Sequence, residues 1–312
     1  MAGKKSKPTA PAEPGIVHQF FVRGRWLIVA AMFVAVFAAG WHFAWNRVRE
    51  HVVSSGEYVV RAKDIKILTP LPGWIHTPIV DDVIKNASLN GPLTILDEDL
   101  TKRLANAFSE HRWVASVHRV RKQLPSRVEV ELTYLQPVAM VEVLDGNSPA
   151  LLAIDANGIL LDSKEFSGQY LTESKRYIPI KGIQSTPHSL SAKQAWGDVY
   201  VTGAAQIAKA IGDRWQPWGL RCIVAPQRGG AQEFDIYTYQ LLTRSGKQIV
   251  WGRAPGNEPK GEPNAAGKVA MLEQIAARVK SGSLDDPQMP ALIDIRDAAV
   301  SSPRTAERSQ LP

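Results

Sequence analysis

Cysteine is nearly absent from the sequence: the 312 residues include one, Cys222. A single cysteine excludes an intramolecular disulfide and argues against a cysteine-based zinc site. Cys222 lies inside the apolar run Leu220 to Ala225, so we expect a core thiol rather than a reactive one. The cysteine content therefore leaves the redox compartment of the protein open.

Motifs of catalysis and nucleotide binding are absent as well. No serine lies in a G-x-S-x-G elbow. The segment Gly261 to Val269 superficially resembles a phosphate loop, but five residues separate its glycines instead of four. Its last residue, Val269, stands where such a loop has the serine or threonine that binds magnesium. A nucleotide site in this segment is therefore not expected.

The titratable side chains form no pattern typical of a metal site or a carboxylate pair. His111 and His118 have no third ligand at metal spacing. Asp81-Asp82 is typical of a helix start, and Asp285-Asp286 of a turn. We therefore predict a protein that is not an enzyme, with no catalytic residues, no metal, no cofactor and no small-molecule substrate.

The charge is positive, with a net +7 and a pI of about 9.4. This balance suits nucleic acid, an anionic membrane surface or an acidic partner. The most basic stretch, Trp113 to Lys122, places Val114, Val117 and Val120 at strand-like intervals, and it lacks the glycines and repeated aromatics of an RNA-binding strand. It therefore predicts a solvated strand face, and no nucleic acid is expected as a partner.

One long apolar segment is present. Residues 26–45 carry no formal charge, and as a helix these 20 residues extend about 30 Å, the thickness of a hydrocarbon core. The alternatives are a buried helix or a cleaved signal peptide, but the segment ends in bulky rings and arginines rather than a small-residue cleavage site. We expect a transmembrane helix in the lipid bilayer. Its predicted membrane-interface residues are Arg23, Arg25, Trp26, Trp41 and Trp45.

The basic tail before this segment favours a cytoplasmic N-terminus, which places residues 46 onward outside the cytoplasm. We expect a disordered tail at 1–25, a linker at 46–57, a first domain at 58–136, a β-rich domain at 137–300 and a flexible tail at 301–312. Periodicity in the first domain predicts the order strand, helix, helix, strand, strand. The fold class is therefore α+β.

The predicted elements have the following bounds. The first domain has a strand at 58–68, a helix at 79–89, a helix from about 97 to 112, and strands at 114–122 and 127–135. The second domain has strands at 138–144, 151–154, 159–161, 177–180, 220–224, 233–243, 247–251 and 291–296, with helices at 199–211 and from Asn264 to Gly282.

Short motifs in this order resemble a known family. They are W-V-x-x-V from Trp113, L-P-S-R-V-E-V from Leu124, Q-P-V-A from Gln136, A-I-D-A-N-G-I-L-L from Ala153, I-V-W-G-R from Ile249 and I-D-I-R from Ile293. With the single N-terminal helix, the pattern is similar to that of the bacterial cell-division proteins FtsQ and DivIB. The similarity covers nearly the whole chain.

The resemblance implies that the first domain is a polypeptide-transport-associated (POTRA) domain and that the second recruits membrane-anchored division proteins of the FtsB and FtsL type. The implied protein is a non-enzymatic, single-pass inner-membrane scaffold at the division septum. A chaperone or secretion adaptor that binds extended polypeptides is the alternative. This sequence has Asp297 where the family often has an aromatic residue. The implied partner-binding edge strands contain Ile249, Val250, Trp251, Leu292, Ile293, Asp294, Ile295 and Arg296.

Overall fold

The computed structural model describes residues 29–47, 56–87, 93–145, 148–168, 171–226 and 237–297. These residues form a mixed α+β protein with one apolar helix near the N-terminus and a sheet-rich remainder. The predicted tails at 1–25 and 301–312, most of the linker, and Arg23, Arg25 and Trp26 lie outside the described residues.

The N-terminal helix α1 (Val29–Arg47) has 19 residues and a mean hydropathy of 1.4, and none of its most apolar stretch is buried against the protein. Trp41 and Trp45 are exposed on it. The helix is therefore long and apolar enough to cross a membrane, and it contributes nothing to the protein core.

The first unit, residues 56–135, begins with a difference from the predicted strand at 58–68. The backbone there forms two short strands, β1 (Val59–Val60) and β2 (Ile65–Ile67), which belong to different sheets. A turn of 3₁₀ helix at Ala62–Asp64 separates them, because the Asp64 carboxylate accepts the N–H of Arg61 at 3.1 Å. One predicted strand therefore becomes a corner between two sheets.

The remaining elements of the first unit follow the predicted order, except that an unpredicted two-residue strand lies between the two helices. They are α2 (Ile79–Asn86), β3 (Leu93–Thr94), α3 (Leu100–Glu110), β4 (Val114–Gln123) and β5 (Arg127–Tyr134). β1 pairs with β3, while β5 lies between β2, which is parallel to it, and β4, which is antiparallel. This order produces a small two-layer fold of helices on a three-stranded sheet.

The predicted alternation along β5 is confirmed. Val128, Val130 and Leu132 are buried and belong to the same core as Leu104 and Phe108 of α3. On the opposite face, Glu129 lies in register with Arg121, and Glu131 with Arg119. These cross-strand charges are of opposite sign, which stabilises the solvated face. Leu96 precedes α3 and is exposed.

The second unit, residues 137–297, is built on one seven-stranded sheet in the order β12-β11-β10-β9-β8-β6-β7. The strands are β6 (Ala139–Asp145), β7 (Ser148–Ile154), β8 (Ile178–Lys181), β9 (Leu220–Val224), β10 (Tyr239–Thr243), β11 (Gln248–Gly252) and β12 (Leu292–Asp294). The predicted strands are thus present except the one at 159–161, which forms only isolated bridges. In the described part, the strand predicted at 233–243 begins only at Tyr239, and the last strand is shorter than predicted.

Two helices cover one face of this sheet, and a short helix α4 (Leu171–Ser174) precedes β8. α5 (Val199–Ile211) is capped by Asp198, whose carboxylate accepts the N–H of Tyr200 at 2.8 Å. α6 (Ala265–Ala277) is capped by Asn264, as predicted, and it ends before the predicted Gly282. Both caps satisfy N–H groups that have no partner within the helix.

The two units share a buried joint. Phe166 of the second unit is 4% exposed and packs edge-on against Trp113 of the first, with ring centroids 6.1 Å apart. Arg112 donates to Asp82 of α2 at 2.6 Å and to Asp162 of the second unit at 2.7 Å. Apolar and charged contacts together therefore fix one unit against the other.

Candidate partner-binding edges of the sheet

The predicted edge residues lie on two strands with different surroundings. β11 pairs with β10 on one side and with β12 on the other. Ile249, Val250 and Trp251 are each 0% exposed. The prediction that these three residues form an edge strand is therefore wrong, because their backbone groups are used within the sheet and their side chains are buried.

β12 stands at the end of the strand order and pairs with β11 in parallel. Its ladder fixes which backbone groups point outward. The Ala291 carbonyl accepts from Gln248 N–H at 2.8 Å, and Ile295 N–H donates to the Val250 carbonyl at 3.2 Å. Because backbone direction alternates along a strand, Ile293 also faces β11, while Leu292 and Asp294 direct their backbone N–H and C=O groups away from the sheet.

The side chains of β12 alternate in the same way. Ile293 is 8% exposed and Ile295 is fully buried, and both join the core beneath α6. Leu292 is 47% exposed. The guanidinium of Arg296 forms a bidentate pair with the Asp294 carboxylate, with nitrogen–oxygen distances of 2.7 to 3.2 Å. The outer margin of β12 thus presents an apolar side chain followed by a charged pair.

The opposite end of the sheet is β7, which pairs with β6. The Ala153 carbonyl faces away from β6 and accepts the N–H of Leu161 at 2.9 Å. By alternation, Leu151 and Pro149 also face outward. Proline has no N–H to offer a further strand, and prolines on edge strands oppose strand addition. The β7 edge is therefore partly blocked, by Pro149 and by the bond to Leu161.

A buried ion pair supports the sheet beside β12. Lys268 of α6 is 0% exposed, and its ammonium bonds the Glu262 carboxylate, whose side chain is 6% exposed. The same ammonium lies 5.2 Å from the centre of the Trp251 ring. Glu262 also accepts the N–H of Arg253, just after β11, at 2.8 Å. These contacts connect α6 to β11, the strand that pairs with β12.

The electrostatics of this pair are those of a structural contact. Burial lowers the pKa of Lys268, and the bonded Glu262 carboxylate acts in the opposite direction. Gly252 lies beside the pair, with a φ of +93°, and a Cβ added there would overlap the Glu262 carboxylate. A side chain at position 252 would therefore displace the ion pair that fixes α6.

Another group of polar side chains lines a cavity of about 250 Å³ near the start of α5. Ser185 Oγ donates to the Asp198 carboxylate at 2.5 Å and accepts from Trp196 Nε1 at 3.1 Å. Asp198 is also the cap of α5. The hydroxyl and the carboxylate are thus engaged in holding the loop before α5 onto the helix.

The cysteine and the two histidines considered in the sequence analysis have structural roles. Burial raises the pKa of the Cys222 thiol, which is 1% exposed, in agreement with the predicted core thiol. His111 is buried and accepts the N–H of Trp113, whereas His118 contacts Thr133 on the solvated face of the first sheet. Within the described ranges, no group of three or more His, Cys, Asp or Glu side chains is placed to hold a metal ion.

Sequence reasoning missed Lys268, Pro149 and Leu151. Lys268 lies in the segment that resembles a phosphate loop without matching one. The sequence feature that indicates its burial is its position next to the apolar face of α6 (Val269, Leu272, Ala276). Pro149 could have been recognised from the sequence, because a proline within a strand indicates an edge strand. Leu151 becomes relevant only when the register of β7 is known.

Comparisons with known proteins add no relative to these observations. The chain matches no model of a known protein family, and no curated protein sequence matches it.

Proposed function

We propose that this protein is a membrane-anchored, non-enzymatic scaffold of the cell-division machinery, similar to FtsQ and DivIB. In this proposal α1 anchors the chain in the inner membrane with its N-terminus in the cytoplasm, and the first unit is a POTRA domain outside the cytoplasm. The second unit binds membrane-anchored division proteins of the FtsB and FtsL type by adding a partner strand to β12.

The observation that carries the proposal is the contrast between the two ends of the sheet. β12 directs the N–H group of Leu292 outward, whereas β7 has Pro149 and the bonded Ala153 carbonyl at its outer margin. A strand gains affinity from backbone hydrogen bonds when it adds to an edge, and selectivity from alternate side chains. The half-exposed Leu292 is the first side chain that an added strand would meet.

Anchoring strengthens such a contact. A partner held in the same membrane by its own helix is confined to two dimensions, so its effective concentration at β12 is high. A short strand with few outward hydrogen bonds can then suffice. The same reasoning explains why a three-residue strand can be a useful docking edge.

The experiment is capture of membrane-anchored division partners by the full chain in detergent, comparing Leu292→Pro with the wild type. Proline at 292 removes an outward N–H and leaves the β11 ladder intact, so we expect capture to fall about tenfold or more. Leu151→Pro is the matched control, because it makes the same change at the β7 edge, where Leu151 is 38% exposed. The control should capture partners normally.

Ile293→Pro provides a second comparison. Its N–H faces β11, so this variant should lose stability as well as binding, and thermal unfolding separates the two effects. Equal capture by Leu292→Pro and the wild type, with both folded, would contradict binding at β12. Equal losses in Leu292→Pro and Leu151→Pro would also contradict it.

A further inference from the structure

A hairpin tip projects from the first unit at the end of the three-stranded sheet. Gln123 and Arg127 lie opposite each other, so residues 124–126 form the turn between β4 and β5. Leu124 is 75% exposed, more than any other large apolar side chain outside α1 in the described part of the chain. From His118 to Val128 the sequence has four basic residues and no acidic one.

The tip lies at the end of the first unit where the chain arrives from α1. β2 runs parallel to β5 with Ile65 opposite Val128, so β2 starts beside the turn. The Tyr58 carbonyl accepts the N–H of Ile95 at 3.0 Å, and the Asp97 carbonyl accepts from Lys122, next to the turn. Hydrogen bonds therefore connect the entry of the chain to the hairpin tip.

The second unit is attached at the opposite end. β5 runs from the turn to Tyr134, and the chain continues from there into β6. The buried joint, with Arg112 and Trp113, lies beside the start of β4. The first unit thus separates the hairpin tip from the second unit along the length of β4, whose ten residues extend about 30 Å.

If α1 spans the membrane, chain length keeps the entry of the first unit, and with it the end that carries the tip, within reach of the bilayer. Eight residues, 48–55, connect Arg47 of α1 to Gly56, and a chain of that length reaches at most about 30 Å. The tip carries an exposed leucine between basic side chains, the composition that favours the boundary between lipid headgroups and acyl chains. Arg121 has Glu129 in register, whereas the residue opposite Arg127 is the neutral Gln123.

We propose that the 124–126 hairpin tip is a second membrane contact, in which Leu124 enters the bilayer interface while Arg121 and Arg127 bind anionic lipid headgroups. The inference rests on the proposed anchoring by α1. In this arrangement the long axis of β4 points away from the membrane. The second unit lies at the end of the first unit that is farther from the bilayer. The contact would orient β12 relative to the bilayer, which attachment through α1 alone does not do.

The test uses the full chain reconstituted into phosphatidylcholine liposomes with or without phosphatidylglycerol. Because Cys222 is 1% exposed, a thiol-reactive environment-sensitive dye should label an introduced cysteine selectively, and the unsubstituted chain checks this. Leu124→Cys should give a blue-shifted emission that is quenched by headgroup-nitroxide lipids in the anionic liposomes. Reconstitution in either orientation is acceptable, because both leaflets have the same composition.

Leu190→Cys is the matched control. Leu190 is 72% exposed, but its loop lies at the far end of the first unit, where Lys193 bonds the Ser109 carbonyl in the last turn of α3. A dye at 190 should remain unquenched. Arg127→Gln should lower the ratio of docked to undocked tip about fivefold, since a basic residue near an anionic surface contributes on that order. Arg121→Gln should have a smaller effect in the same direction, because Glu129 lies in register with Arg121.

The outcomes separate this inference from the proposed function. If the protein floats with the liposomes but the dye at 124 is unquenched, or is quenched as much as the dye at 190, the hairpin contact is overturned. The anchor is not contradicted by that result. A chain that does not float with the liposomes at all would overturn the anchor and the hairpin contact together. Quenching at 124 that is equal in neutral and anionic liposomes would overturn the role of the two arginines.

Discussion

The two units of this protein bury polar groups in different places. Among the described residues, the first unit buries one polar side chain, His111, and it lies beside the joint with the second unit. The second unit buries several, including Lys268, which supports the strand next to β12. The first unit is thus held by apolar layers, whereas the second uses a charged contact to position its candidate binding edge.

This difference indicates which substitutions should destabilise each unit most. Apolar packing tolerates gradual change, because a smaller side chain loses contacts in proportion to its size. A buried ion pair behaves differently, since removal of one partner leaves an uncompensated charge without water. We therefore expect substitutions at the joint to affect both units and substitutions at Lys268 to affect mainly the second. Four predictions test this comparison.

The largest effect is expected from Lys268→Met. Methionine keeps most of the side-chain volume but leaves the Glu262 carboxylate buried without its partner, so the free energy of unfolding should fall by about 3 to 5 kcal/mol. Urea unfolding of the full chain in detergent measures it. The double variant Lys268→Met/Glu262→Gln removes both charges and should recover most of the loss. A double variant as unstable as the single one would show that packing, and not charge, dominates here.

Phe166→Ala should remove about 4 kcal/mol, within the range for truncating a buried phenylalanine. Because Phe166 packs against Trp113 across the joint, we also expect the two units to unfold in separate steps in this variant. Differential scanning calorimetry distinguishes one transition from two. Phe166→Leu, which keeps part of the contact, should show a smaller loss. A single transition in Phe166→Ala would contradict the coupling of the units through this joint.

The third prediction concerns pH. Burial, together with the neighbouring Arg112, lowers the pKa of His111 to about 4. Between pH 6.5 and 4 the unfolded chain binds a proton that the folded chain does not, so stability should decrease as pH falls through this range and level off below it. The total is on the order of 3 kcal/mol. His111→Asn retains an acceptor for the Trp113 N–H and should flatten this part of the pH profile of unfolding free energy.

Arg112→Gln should have the smallest effect. Arg112 bridges Asp82 and Asp162 across the joint, but its side chain is 31% exposed, so the contact is screened by water. We expect a loss of about 1 kcal/mol, which decreases in high salt. Unfolding at low and high ionic strength measures both. A loss as large as that of Phe166→Ala would mean that charge, rather than apolar packing, holds the two units together.

Much of the fold could be predicted from local patterns. The helix at 199–211 and the strand at 220–224 have the bounds that their periodicity indicates, and Asn264 is the cap that its residue type suggests. The failure at 58–68 has a local cause that a pattern does not reveal, since the Asp64 side chain bends a segment with the composition of a strand. Short polar residues compete with extended pairing in this way.

The candidate site was only partly predictable. The sequence predicts an edge strand at residues 292–296, and the structure puts β12 at the end of the sheet. Residues 249–251 were assigned to an edge as well, but they lie between two strands. An apolar run such as Ile249 to Trp251 has the same composition in either position, because composition reports burial and not which strands are neighbours.

The sequence by itself determined the apolar N-terminal helix, the α+β class and the period of each strand and helix, because these depend on residues close together in the chain. The tertiary structure alone decided that β12 is an end strand, that Leu292 rather than Ile293 directs its N–H outward, and that Lys268 meets Glu262 beneath Trp251. Strand neighbours, register and buried charge pairs join distant residues. A shift of one residue in register reverses every outward group, and that register is set by packing across the whole sheet.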